Sequence, residues 1–179
     1  MFPLENTFLL LVNSVGSIPA SEFLIKCKEA GMVEKPFDIN GSLLLLESDE
    51  FDKGCAFSFT IDDNELAELH IAIKNETICR TAIQITYRID NFASLFFPKV
   101  KKHYKKVILL ADKYYGGKED DTCHRRHIES VKFKNGRTIC LISQARYGHI
   151  DYLNIDVISV AFEEILYKLV GWVEERSPT

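Results

Sequence analysis

Between residues 55 and 89, apolar side chains recur on every second position in three successive segments, and this alternation constrains the fold more than any other feature of the chain. CAFSFTID places Cys55, Phe57, Phe59 and Ile61 on one side, and ELHIAIK does the same with Leu69, Ile71 and Ile73. CRTAIQITYRID follows with Cys79, Thr81, Ile83, Ile85, Tyr87 and Ile89, leaving Arg80, Gln84, Thr86 and Arg88 to face the other way. A side-chain period of two marks a strand with one buried and one wet face. The continuous apolar run SLLLLES (42–48) reads as a fourth strand, and short polar turns join the four into an antiparallel meander.

Elsewhere the period is helical. Pro19 opens a short amphipathic helix with Phe23, Leu24 and Cys27 on one face, and Gly31 stands where a left-handed cap ends it. From Pro98 onward Val100, Tyr104, Val107, Ile108, Ala111 and Tyr115 recur at helical spacing until Gly116 and Gly117 stop the run. HIESVKFKNGRTICLISQ carries Asn135-Gly136 between two strand-like runs, a hairpin signal, and HIDYLNID supplies a further strand. A closing helix is expected over 155–175, with Ile158, Phe162, Ile165, Leu169 and Trp172 on one stripe. This order predicts a single α+β domain over 1–179. Its antiparallel sheet, a meander plus an Asn-Gly hairpin, packs with a short N-terminal helix, a long central helix and a C-terminal helix. The succession of strands then helix occurs twice, as two half-units would require.

At 179 residues and 46% hydrophobic content the chain is able to bury a sizeable core without disulfides or metal. The apolar run 8–12 is too short to span a membrane, and Glu5 precedes it where a secretory signal carries Lys or Arg. Five scattered cysteines, Cys27, Cys55, Cys79, Cys123 and Cys140, show no framework spacing and fit a reducing compartment. The expectation is a cytoplasmic protein without membrane contact.

Formal charge divides along the chain. Residues 1–98 hold fifteen acids against seven bases, and residues 99–146 hold thirteen bases against five acids. Opposite local fields steer charged partners. The acidic share clusters in LESDEFD and IDDNELAE, which makes Glu47, Asp49, Glu50, Asp52, Asp62, Asp63 and Glu65 candidate contacts for a basic partner. Alternate turns of a meander point to opposite ends of the sheet, so these carboxylates form two surfaces rather than one. In the basic share, Lys99, Lys101, Lys102, Lys105 and Lys106 share a helix with His103 and Tyr104, while Arg125, Arg126, Lys132, Lys134 and Arg137 lie on or near the hairpin. If Lys101, Lys105, Arg125, Arg126 and Lys132 converge, they form an alternative surface for nucleic acid.

CHRRH offers the sharpest local chemistry. Cys123, His124 and His127 are zinc-type ligands that would serve a metal-dependent hydrolase, but a structural site needs four ligands and a catalytic one usually three plus water. The remainder would have to come from Cys140, His149, Asp120 or Asp121. Two arginines inside the motif also oppose a dication, so no metal and no cofactor are expected. Histidines and arginines beside Cys123 favour its thiolate, yet no acid or amide partner completes a Cys-His pair. There is no G-x-S-x-G elbow and no Gly-rich phosphate loop. No catalytic residue is therefore predicted.

In general character the whole chain resembles the small immunity proteins that bacteria keep against contact-dependent and polymorphic toxins: one acidic, sheet-rich α+β domain with reduced cysteines and the carboxylate clusters LESDEFD and IDDNELAE. The resemblance carries no diagnostic motif and transfers no functional residue. It implies a non-catalytic protein that binds one cognate toxin, commonly a basic nuclease, and occludes its active site. The positive stretch 99–146 departs from a simple mimic of nucleic-acid phosphates.

Overall fold

The structure is a computed structural model that describes residues 2–38, 51–62, 65–89, 99–118, 123–125 and 128–162. Two helices, α1 (Leu4–Ser14) and α2 (Ala20–Glu29), precede strands β1 (Val33–Lys35), β2 (Lys53–Ile61), β3 (Glu65–Lys74) and β4 (Thr77–Arg88). Helix α3 (Lys99–Tyr115) then leads to β5 (Cys123–Arg125), β6 (Ile128–Lys134), β7 (Thr138–Tyr147) and β8 (Ile150–Ser159). The eight strands form one antiparallel sheet in the order β1-β2-β3-β4-β8-β7-β6-β5. Two four-stranded meanders thus meet through β4 and β8. An antiparallel pair has a local two-fold axis normal to the sheet, so this topology relates two halves that each run from helix to strands among the described residues. The α+β class with an antiparallel sheet is established.

All three helices among the described residues cover one face of the sheet. Phe57, Phe59, Ile61, Leu69, Ile71, Ile83 and Ile85 of the first meander, and Phe133, Cys140, Ile142, Leu153, Ile155 and Val157 of the second, share one core with Leu4, Phe8, Leu11, Phe23, Val100, Tyr104, Val107 and Ala111. The alternation read from the sequence is the cause: each long strand turns one alternate set of apolar side chains toward the helices. Short local devices fix the ends. Gly31 adopts φ +81° and passes Met32 N–H back to Cys27 O at 3.0 Å, the expected left-handed cap. The β3–β4 turn is Asn75-Glu76, both at positive φ, as a two-residue hairpin of right-handed twist requires.

Four expectations are corrected. The first helix, α1, was legible only as a short apolar run, although Leu4, Phe8, Leu11 and Val12 lie at helical spacing and are buried. The closing helix does not begin at 155, because Ile150–Ser159 is one strand paired on both sides with β4 and β7, followed by a 3-10 turn at Val160–Phe162. Its β-branched alternation outweighs the i, i+4 coincidence of Ile158 and Phe162; Ile165, Leu169 and Trp172 lie outside the described residues. The neighbour of β2 at the sheet edge is β1 (Val33–Lys35), and 42–48 also lies outside them. Finally, Cys79 leaves the core row: a bulge opposite Ala72 and Ile73 turns it to the other face, where its Sγ donates to Ala72 O at 3.2 Å. The Asn135-Gly136 hairpin forms as expected between β6 and β7. Its Asn135 Oδ1 accepts the N–H groups of Arg137 (2.9 Å) and Thr138 (2.8 Å), and Gly136 is not left-handed.

Candidate functional site

The face of the sheet away from the helices is built from the alternate residues of the same strands. Cross-strand register places Ser58, Glu68, Gln84, Asn154, Ser143 and Ser130 side by side, one from each of β2, β3, β4, β8, β7 and β6. The central three are joined: Gln84 Nε2 donates to Asn154 Oδ1 at 3.0 Å, and Asn154 Nδ2 donates to Ser143 Oγ at 3.5 Å. Among the described residues, Gln84 Oε1 and the Ser143 hydroxyl proton take part in no further hydrogen bond at the two ends of this chain. In the adjacent row Ala145 pairs with Tyr152, and the Tyr147 and Tyr152 rings meet edge to face with centroids 6.0 Å apart. Gln84, Ser143, Ala145, Tyr147, Tyr152 and Asn154 line an open depression of about 400 Å³ at the middle of the sheet. Tyr147 is 61% exposed, Leu66 49% and Val33 64%, so apolar surface borders the amide row.

The charges on this face are compensated. Arg80, buried, forms a two-pronged pair with Asp156, its Nε 2.8 Å from Oδ1 and its Nη2 on Oδ2, and Lys35 holds Glu68 at 2.5 Å. His70 lies between these pairs, and burial depresses its basicity below that of a free imidazole, with Lys35 adding to the effect and Glu68 opposing it. At the end of the face beyond Ala72 and Ala82, aromatic side chains close over the sheet. Phe37 and Phe51 meet edge to face at 6.0 Å, Phe162 packs beside them, and an ideal Cβ on Gly54 would come within 2.1 Å of the Phe37 ring. The open surface is therefore the amide-and-tyrosine part.

The residues singled out by sequence are dispersed. Asp52 lies before β2 and accepts Asn75 N–H at 2.6 Å, whereas Asp62 lies at the opposite end of β2 and accepts the Leu4 N–H that opens α1, at 3.2 Å. Glu65 holds Lys99 at 2.8 Å, so one acid of the first half neutralises a base of the second within the fold. Glu47, Asp49, Glu50 and Asp63 lie outside the described residues. The basic set does not converge: Lys101 and Lys105 project from the solvent side of α3, while Lys132 alternates with the core residues Val131 and Phe133 and so occupies the opposite face of the sheet. Arg125 is on β5 and Arg126 lies outside the described residues. His103 and Tyr104 are not part of the lysine face; both are buried, and His103 Nδ1 is 2.8 Å from the Tyr87 hydroxyl.

Cys123 and His124 fall on β5, and His127 lies outside the described residues. Two distant ligands considered for them do not meet, since Cys140 is fully buried at the start of β7 and His149 is exposed beyond its far end, about 24 Å along the strand. Among the described residues no three His, Cys, Asp or Glu side chains are grouped to hold a metal ion. Burial raises the thiol of Cys27 to about 12 and that of Cys79 to about 11, and it raises Cys140 as well, so these cysteines stay protonated. No helix among the described residues is long and apolar enough to cross a membrane.

Sequence reasoning turned Gln84 and Thr86 outward correctly but did not find Asn154, Ser143 or Tyr152, because the β4–β8 pairing joins strands more than sixty residues apart. The chain matches no protein-family model, no curated protein and no solved structure.

Proposed function

We propose that the protein is a non-catalytic inhibitor that captures one protein partner on the open face of its sheet, and that the partner is a toxin, in particular a basic nuclease toxin. The observation that carries this reading is the Gln84–Asn154–Ser143 row beside Tyr147, Tyr152 and Leu66. Tyrosine with Ser, Asn and Gln is the chemistry of binding loops that recognise proteins: rigid amphipathic rings supply contact area, and adaptable amides supply hydrogen bonds. Eight strands at their usual spacing give a face about 34 Å wide, and about 800 Å² per partner suffices for a specific interface. Asp52, at one end of β2, lies at the rim, whereas Asp62 and Glu65 at the other end are engaged on the helical side by the Leu4 N–H and by Lys99. Rim carboxylates would speed the approach of a basic partner more than they hold it. The resemblance to immunity proteins supports the choice of a toxin.

The test is co-expression with the protein encoded immediately upstream, scored by growth and by co-purification. Ala145→Arg, which fills the depression, is expected to weaken the complex at least 100-fold and to abolish protection while the melting temperature is kept. Lys102→Glu, on the helical side, leaves both unchanged. Protection by a folded Ala145→Arg protein would overturn the reading.

A further inference from the structure

We propose that the outward face of α3 is a second, independent binding surface, one that holds the phosphate backbone of a nucleic acid without reading its sequence. Lys101, Lys102, Lys105, Lys106 and Lys113 are exposed, and at about 100° per residue they fall within an arc of about 140° opposite the buried stripe of Val100, Tyr104, Val107 and Ala111. They extend over about 18 Å of helix. None of the five forms an ion pair among the described residues. Asp112 is the single acid of the helix.

A helix does not place lysines this way for its own stability. Lys101 and Lys105, and Lys102 and Lys106, are like charges at i, i+4, which repel. The first described turn holds Lys99, Lys101 and Lys102 and no acid, although the N-terminal dipole favours anions there. Local rules broken without a compensating contact inside the fold point to a contact outside it. Lysine is scarce in the cores of protein interfaces, and its ammonium is a point charge on a flexible stem, which suits phosphates rather than a shaped protein surface. Membrane insertion lacks its material: the apolar stripe of α3 is spent on the core, and Leu109 alone is exposed among the lysines. Lysine contacts to phosphate position a duplex but carry no sequence information. Because α3 and the open face lie on opposite sides of the sheet, a nucleic acid and a protein partner bind without competing.

The experiment is fluorescence anisotropy of a labelled 20-base-pair duplex of arbitrary sequence with the full chain, from 50 to 200 mM salt. Four to five phosphate contacts give a log–log slope of about −3.6 to −4.5, a weakening of roughly 150- to 500-fold over that range. Lys101→Glu/Lys105→Glu is expected to cut affinity at least tenfold and to make the slope shallower by about two. Lys28→Glu/Lys53→Glu, the same charge change on α2 and β2, leaves it within twofold. Salt-independent binding, an equal loss in the Lys28/Lys53 variant, or tighter Lys101-dependent binding to phosphatidylserine vesicles than to the duplex would each overturn the proposal.

Discussion

The two faces of the sheet are made by the same strands and differ in what they ask of a side chain. Toward the helices, Phe57, Ile71, Ile83, Phe133, Ile155 and their neighbours fill a closed interior. On the other side the alternate positions hold Ser58, Gln84, Asn154, Ser143 and Ala145, small or amide-bearing groups whose hydrogen-bonding capacity is only partly used within the fold. The contrast separates stability from recognition within a single register. It also predicts how each face responds to damage.

The largest effect belongs to the closed side. Phe57→Ala or Phe133→Ala removes a fully buried ring and is expected to cost about 3–5 kcal/mol in denaturant unfolding. A loss under about 1 kcal/mol would mean that the helical layer does not define the core. Next comes a buried ion pair on the side away from the helices. Arg80→Met strands Asp156 without its partner and should cost about 3 kcal/mol or more, whereas Arg80→Met/Asp156→Leu recovers most of it, because a matched apolar pair replaces a desolvated ion pair. Failure of the double variant to recover would show that the pair does more than satisfy its own charges.

A smaller, pH-dependent effect distinguishes His70, which sits where the charged rows meet the aromatic end. Burial makes its folded-state affinity for a proton lower than that of the unfolded chain. The unfolded state therefore binds more protons once pH falls below the ordinary histidine value of about 6.5, and stability drops from there downward. The contribution is intact above that value. His70→Gln is expected to flatten the stability difference between pH 7 and pH 5, read as the shift of the denaturation midpoint. An unchanged difference would assign the acid sensitivity to carboxylates instead.

How much of this was legible in sequence follows from the range of the interactions involved. Gly31, Gly116, the period-two segments and the α3 stripe are local, and local rules found them. The bulge at Cys79 is invisible without its partner strand, since it arises from a mismatch between β3 and β4. The true end of β8 was hidden because Ile158 and Phe162 satisfy a helical spacing by coincidence, while pairing with β4 and β7 decides the matter. Charge was the least reliable guide. Glu65 and Lys99 belong to halves of opposite sign yet neutralise each other at 2.8 Å, and Lys101 and Lys132 belong to one basic stretch yet stand on opposite sides of the sheet. The amide row was beyond reach for the same reason as the bulge: Gln84 and Asn154 become neighbours only when the two meanders join.

The smallest effect on folding should accompany the largest effect on function, and two tyrosines make the comparison. Tyr115, on the helical side, packs on Phe133 with ring centroids 6.0 Å apart and shares a 3.0 Å hydrogen bond with the Thr138 hydroxyl; burial holds its phenol protonated well above the ordinary range. Tyr115→Phe gives up that bond and is expected to cost about 1 kcal/mol of stability without touching partner binding. Tyr147 is exposed at the open end of β7, and Tyr147→Ala should change stability by no more than about 0.5 kcal/mol. An exposed ring that the fold does not need is, on the proposed reading, available to anchor a partner, and truncating such an anchor typically costs about 2 kcal/mol of binding. Calorimetric titration of the two variants with the upstream gene product separates the faces cleanly: weakened binding in Tyr147→Ala with unchanged melting supports the open face as the interface. Loss of binding in Tyr115→Phe with Tyr147→Ala unaffected would move it to the helical side.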